Sequence, residues 1–330
     1  MSPNKPFSKD ITLISNIEGA TNDIISQLQE DILHTLRRNG AVVGISGGID
    51  SSVCLALAAR AFGKEKVLGV IMPEKDSSPE SEELAKELAG KFGIKIIREE
   101  ITAALDGFGC YKKRDEAVKR VFPDYNPDTH TMKIVLRQSD VYGTLPPLYS
   151  LVIIDKKGNS KEQILPVHEY LQITAASGFK QRTRMAMLYY YSEAMHYAVI
   201  GTPNKLEYDE GFFVKYGDGG ADVLPISNLY KSQVYQMAEY LGIPESIIKR
   251  TPTTDTYSAH QTQEEFFYQL PFKEMDCYWY GYENGYSPLE VAKIMGKNET
   301  QIDALFHNFD RKKKTTEYLR RTPIKNYFQG

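Results

Sequence analysis

The segment Gly44-Ile45-Ser46-Gly47-Gly48-Ile49-Asp50-Ser51-Ser52 limits what this chain can fold into more than any other. It follows the short apolar run AVVGI at 41–45, which does not alternate and so reads as a strand covered on both faces. It leads into IDSSVCLALAARAFG at 49–63, which reads as a helix ended by Gly63. A glycine-rich turn from a buried strand into a helix lies where open α/β sheets bind ligands, at the carboxyl ends of the strands. The glycines let backbone N–H groups approach phosphate oxygens, and Ser46, Ser51 and Ser52 add hydroxyls. The following helix N-terminus favours an anion, and Asp50 is placed to hold a magnesium ion on the phosphates. The segment is neither GxxxxGK[ST] nor GxGxxG.

The neighbouring segments extend the α/β pattern. Ile24, Leu28, Ile32 and Leu36 recur at helical spacing within 22–39, and Gly40 fits a left-handed stop. KVLGVIMP at 66–73 and IKII at 94–97 read as strands. Between them Ser78-Pro79 starts a helix that Gly93 ends. A helix over about 180–197, the strand AVIG at 198–201 and an amphipathic segment at 229–242 resume the rhythm. This alternation predicts a doubly wound parallel sheet. Residues 106–178 interrupt it with HTMKIVLR at 130–137 and a hairpin at 148–165, a β-rich insertion. The expected organisation is therefore 1–105, the insertion 106–178, and 179–330 ending in a helical, basic tail. The final NYFQG resembles part of a protease-tag scar and is left out of the functional argument.

Composition excludes several classes. The 330 residues carry 40 Lys+Arg against 43 Asp+Glu, a net charge of −3, which gives no pull toward nucleic acid or membrane. No apolar run approaches a membrane span and no signal-peptide core is present, so a cytoplasmic protein is expected. Cys54, Cys110 and Cys277 lie far apart and form no CxxC pair, and the histidines show no metal-ligand spacing.

A second cluster narrows the reading. It comprises Gly201-Thr202-Pro203-Asn204-Lys205-Leu206-Glu207, then Gly211 through Asp222 (GFFVKYGDGGAD), then Leu224-Pro225-Ile226 and Leu229-Tyr230-Lys231. Together with the SGGIDS loop, which resembles the pyrophosphate loop of ATP pyrophosphatases, these segments resemble the ammonia-dependent NAD synthetases over about 20–105 and 178–325. The resemblance implies an adenine nucleotide alpha hydrolase-like fold. It also implies that ATP adenylates the carboxylate of nicotinic acid adenine dinucleotide and that ammonia then displaces AMP. Carried over by motif, it implies that Gly44, Ile45, Ser46, Gly47, Gly48, Ile49, Asp50 and Ser51 cradle ATP, joined by Thr202, Lys231 and Thr253. Asp50 and Glu207 would bind magnesium, and Arg182 (with nearby Arg184 as the alternative), Lys215 and Asp222 would contact the dinucleotide. The polar loop at 257–263 would close over the site, with His260 either taking part or simply exposed. The family analogy further implies a homodimer, and ammonia either free or supplied by a separate protein, since no glutaminase domain is expected.

The chain departs from the family pattern on the acyl-substrate side. Gln263 and Phe266 stand where acids are usual, and Tyr318-Leu319 stands where a His-Lys pair precedes arginine. The same adenylation on a different carboxylate is therefore the alternative. An RNA-modifying adenylating enzyme and a non-catalytic nucleotide-binding scaffold are disfavoured. The charge argues against the first, and the joint presence of Asp50, Glu207, Lys215 and Lys231 argues against the second.

Overall fold

A computed structural model describes residues 5–136, 148–253, 256–262 and 270–325. The strands are β1 (Ala41–Gly44), β2 (Val67–Ile71), β3 (Lys95–Arg98), β4 (His130–Leu136), β5 (Tyr149–Asp155), β6 (Ser160–Ile164) and β7 (Ala198–Ile200). The first helices are α1 (Ile17–Gln29), α2 (Ile49–Phe62), α3 (Pro79–Phe92), α4 (Thr102–Gly107), α5 (Cys110–Val121) and α6 (Val167–Met195). After β7 come α7 (Lys205–Glu210), α8 (Lys231–Leu241), α9 (Glu245–Ile248), α10 (Phe272–Glu283), α11 (Pro288–Met295) and α12 (Glu299–Arg320). None of the described helices is long and apolar enough to cross a membrane.

The main sheet is parallel, in the order β3-β2-β1-β7. Its central strands are apolar on both sides, and the pleat sorts them into two cores. Ala41, Val43, Val67, Ile71, Ala198 and Ile200 pack with residues of α1, α2, α3 and α8. Val42, Leu68, Val70 and Val199 pack with Met185 and Leu188 of α6 and Tyr111 of α5. Helices thus cover both faces, as the strand–helix alternation predicts. A second sheet, β4-β5-β6, is antiparallel. It shares an apolar cluster with Ala117, Val118, Ile173 and Tyr257.

Two elements differ from the sequence reading. α1 begins at Ile17 and continues as a π-helical turn over Glu30–Thr35, and the left-handed residue that follows is Arg37 (φ 55°), not Gly40. Gly40 is needed for close approach, because a Cβ there would lie 2.2 Å from the carbonyl oxygen of Lys66. α6 starts at Val167, well before the predicted 180, and runs unbroken past residue 178. Because α6 leads directly into β7, it runs antiparallel to the sheet. Leu188 touches the position of Gly44 at the carboxyl end of β1. The first half of α6 therefore stands above the strand ends as a wall; Ser177 is roughly 16 Å beyond Leu188 at the ordinary helical rise.

Candidate active site

A cavity of about 490 Å³ opens at the carboxyl edge of the parallel sheet. Its floor is the three turns that leave the strands: Ile45 to Ser51 after β1, Met72 to Ser78 after β2, and Gly201 to Pro203 after β7. One side is α6, contributing Thr174, Ser177, Lys180, Gln181 and Arg184.

The glycine-rich turn is held by its own hydroxyls. Ser51 Oγ donates to the Gly48 carbonyl (3.0 Å) and accepts from the Ser46 N–H (3.3 Å), while Ser52 Oγ also donates to Gly48 O (2.8 Å). Gly47 has φ 72°, and a Cβ there would sit 2.5 Å from the Ser81 carbonyl oxygen, so both conformation and space require glycine. No side chain caps α2 at Gly48. Its first N–H groups are therefore left for an anion. Arg250 adds positive charge beside the turn, donating to Gly47 O (3.5 Å) and Ser81 Oγ (2.8 Å).

Asp50, in the first turn of α2, meets residues from α7 and α8. Lys231 Nζ donates to Asp50 Oδ2, and Asn204 Nδ2 donates to Asp50 Oδ1 (3.2 Å). Asn204 and Glu207 form a capping box at the start of α7: Glu207 N–H donates to Asn204 Oδ1 (3.2 Å) and Asn204 N–H donates to Glu207 Oε2 (3.0 Å). Burial and the charge of Asp50 push the Glu207 carboxyl up to about 8, although Lys231 pulls it back. Burial lowers the affinity of the Lys231 ammonium for its proton, but Asp50 and Glu207 more than reverse that, so its pKa is raised. Two carboxylates thus face one fully buried lysine. Asp276 of α10 anchors this lysine through its backbone, accepting the N–H of Lys231 (3.3 Å) and of Ser232 (2.7 Å).

Thr202, Glu207, Thr253 and the turn residues other than Gly47 line the cavity, and Lys231 reaches it through Asp50. Arg182, Lys215 and Asp222 do not line it. Arg182 Nε donates to Lys215 O (3.2 Å), and Lys215 Nζ donates to the carbonyls of Tyr318 and Arg321 (both 2.7 Å), so these two meet at the end of α12. Asp222 accepts from Val199 N–H (2.8 Å) and Tyr189 Oη (2.9 Å), fastening the outer edge of β7. Gln263, Thr254, Asp255 and Phe266 lie outside the described residues.

Several cavity groups were not first choices from the sequence. Asp218 lines the cavity, and burial raises its carboxyl to about 6 against the Val214 N–H it accepts (2.8 Å). Arg184, the sequence alternative to Arg182, lines the cavity where Arg182 does not, and reaches the Met72 carbonyl (3.2 Å). Lys180 is fully buried and donates to Glu74 (2.8 Å), Asp76 (2.9 Å) and the Thr256 carbonyl (3.1 Å). Arg114 joins the same network at Asp76 (2.6 Å) and Tyr111 joins it at Glu74 (2.7 Å). Lys180 and Arg184 flank Arg182 in the basic run KQRTR; that run was the available signal, while their partners lie about a hundred positions away.

The family profile described as NAD synthase matches residues 21–124 and 149–323. A Mesorhizobium japonicum protein named NH(3)-dependent NAD(+) synthetase is 46% identical over 301 residues, covering 91% of this chain and 94% of that protein. A Rhizobium meliloti protein of the same name is 45% identical over 317 residues, covering 96% and 94%. Among solved structures, an NH3-dependent NAD synthetase from Campylobacter jejuni superposes with TM-score 0.62 at 21% identity, covering 94% of this chain and 99% of that one. An NMN synthetase from Francisella tularensis gives the same values. At that identity the two structures speak for the fold.

Proposed function

The chain belongs to the NAD synthase family, and from that premise we propose that it is an ATP-dependent ligase that amidates nicotinic acid adenine dinucleotide with ammonia, giving NAD, AMP and pyrophosphate. The observation that carries this reading is the union, in one cavity, of the SGGIDS turn, an uncapped helix N-terminus and the Asp50–Lys231–Glu207 cluster.

The chemistry proceeds in two displacements. A carboxylate oxygen of the substrate attacks the α-phosphorus of ATP, the bond to the bridging oxygen breaks, and pyrophosphate leaves. Ammonia then attacks the acyl carbon and AMP leaves with the bonding pair. The turn N–H groups and the α2 N-terminus hold phosphate oxygens. Lys231 stabilises charge that builds on the departing pyrophosphate, and Arg250 stands beside the same turn. The nucleophile is neutral ammonia, so ammonium loses a proton; Asp218, whose carboxyl burial raises to about 6, is a carboxylate of this cavity that can accept it. Exclusion of water protects the adenylate.

Asp50 and Glu207 are the residues that would hold magnesium. The donor set fits: magnesium takes one or two carboxylates together with substrate phosphates, and a cation would offset both the burial and the Asp50 charge that raise Glu207. When bound, the ion neutralises phosphate charge. Among the described residues no larger cluster of metal-ligating side chains occurs. Arg182, Lys215 and Asp222 are retained as contacts to the dinucleotide; the first two meet beside the end of α12 while Asp222 sits at the edge of β7, and a homodimer is proposed on the family analogy. Cytoplasmic location and ammonia from solution or from a separate protein complete the reading.

The test is to incubate the full chain with ATP, magnesium, ammonium and nicotinic acid adenine dinucleotide, measuring pyrophosphate and, by mass spectrometry, NAD and AMP. Stoichiometric NAD and AMP support the reading. ATP binding without NAD refutes this substrate, and recovery of activity with another carboxylate would assign the departures at Tyr318-Leu319 to specificity.

A further inference from the structure

β4 lies between the two stretches that match the family profile, and it is an edge strand of its sheet. Its outer edge carries the segment 256–262. The Met132 N–H donates to Ser258 Oγ (3.0 Å), and the Ala259 N–H donates to the Met132 carbonyl (3.1 Å). Gln261 Nε2 donates to the Ile134 carbonyl (2.8 Å), and Lys133 Nζ donates to the His260 carbonyl (3.3 Å). Met132 and Ile134 are two apart, so their backbone groups face the same edge, which is how an antiparallel strand offers itself to a further strand. Gln261 is fully buried in this seam.

The same segment forms part of the cavity. Thr256 and Tyr257 line it, and the Thr256 carbonyl accepts from Lys180 on the α6 wall (3.1 Å). Tyr257 is 4% exposed and packs in one apolar cluster with Met132 and Ile134 of β4 and with Tyr149 and Tyr170. Those last two rings stack at 4.5 Å and also line the cavity. A segment that forms neither helix nor strand, and whose own bridge is the one from Thr262 back to Thr253, pays chain entropy to stay in place. Here the edge of β4 supplies the backbone and side-chain bonds that hold it.

We infer that β4 is a positioning scaffold: through Gln261 and Ser258 it fixes the wall 256–262 so that the acyl-adenylate is kept from water until ammonia attacks. This rests on the amidation reading above. Gln261 and Ser258 are positioning residues, since they act through Thr256 and Tyr257.

Two measurements test it on the full-length protein. The first is hydrogen exchange without ligand. The Met132 and Ala259 amides should be protected in the unmodified chain. Ser258→Ala should speed exchange at Met132, and Gln261→Ala at Ala259, by roughly fivefold, the scale of one net hydrogen bond. Free exchange at Ala259 in the unmodified chain would overturn the inference, whether or not NAD is made. The second is the ratio of AMP to NAD at limiting ammonium. It should be one in the unmodified chain, rise about threefold or more in Gln261→Ala as water takes the adenylate, and fall back as ammonium is raised. Variants that merely destabilise the fold lose turnover at a ratio of one, and that result in both variants would overturn the inference. An unmodified chain that makes no NAD would instead remove the amidation reading, leaving the exchange result to decide whether β4 holds the segment.

Discussion

Replacing Lys231 by methionine separates the two jobs assigned to that residue. The stem is largely kept, so packing changes little and the lost quantity is the charge. In the native chain the Lys231 side chain is fully buried against Asp50, which is 15% exposed. Removing one partner of a buried pair costs about 3–5 kcal/mol, because the other charge is left behind. Two features reduce that here. Asp50 keeps the Asn204 donor at 3.2 Å, and Glu207, already pushed up to about 8, takes a proton more readily once Lys231 no longer opposes this. The expected loss in the ligand-free protein is therefore about 2–3 kcal/mol, a fall in melting temperature of roughly 3–4 °C for a chain of this length. Catalysis should suffer more. A fixed positive group acting on charge that develops only in the transition state is worth about 10²–10³ in rate. Urea unfolding gives the first number; rapid-quench measurement of pyrophosphate together with ATP titration gives the second. The dissociation constant for ATP should change less than about threefold while pyrophosphate formation falls by two orders of magnitude or more. Equal losses in binding and rate, or a stability change below about 0.5 kcal/mol, would refute the argument.

Gly47→Ala and Gly48→Ala form a pair with opposite expected outcomes. The first meets the left-handed penalty of about 1–2 kcal/mol as well as the Ser81 carbonyl at 2.5 Å, and should weaken both stability and ATP binding. At Gly48, with φ −89°, the nearest atom to a new Cβ is Ser46 Oγ at 3.3 Å, so denaturation should register little change. Asp76→Asn should flatten the acid limb of stability. Burial pushes the Asp76 carboxyl up, but Lys180 and Arg114 pull it below its ordinary value of 3.8, so its contribution is complete above that pH and is lost as pH falls through the lower folded value. Urea midpoints between pH 5 and 2 measure this, and an unchanged slope in the variant would count against the network.

The parts of the fold that could be read from sequence are those where local chemistry and tertiary role coincide. The Gly47 turn needs a left-handed residue, follows an apolar strand and precedes a helix, so its place at the sheet edge was visible from neighbours alone. The same holds for Gly63, Gly93 and Gly242, which do end α2, α3 and α8. α6 was read thirteen residues short, from 180 instead of Val167, because its first half serves two partners. Ile173 enters the core of the second sheet while Thr174 and Ser177 face the cavity, and this blurs the apolar period. Arg37 took the left-handed position given to Gly40 because the π-helical turn shifted the end of the helix. The Lys180 network was out of reach for another reason. Its carboxylates, Glu74 and Asp76, sit 106 and 104 residues away and look like ordinary surface acids in sequence.

One feature of the site constrains the history of such a chain. Glu207 closes the capping box that starts α7, and Asn204, the other half of that box, also donates to Asp50. The helix start and the carboxylate pair are therefore a single unit under selection. A copy relieved of catalysis cannot discard Glu207 by drift without also fraying α7, so the acid should outlast the activity. Its presence in a distant sequence is weaker testimony to turnover than the presence of Lys231, which no helix cap requires.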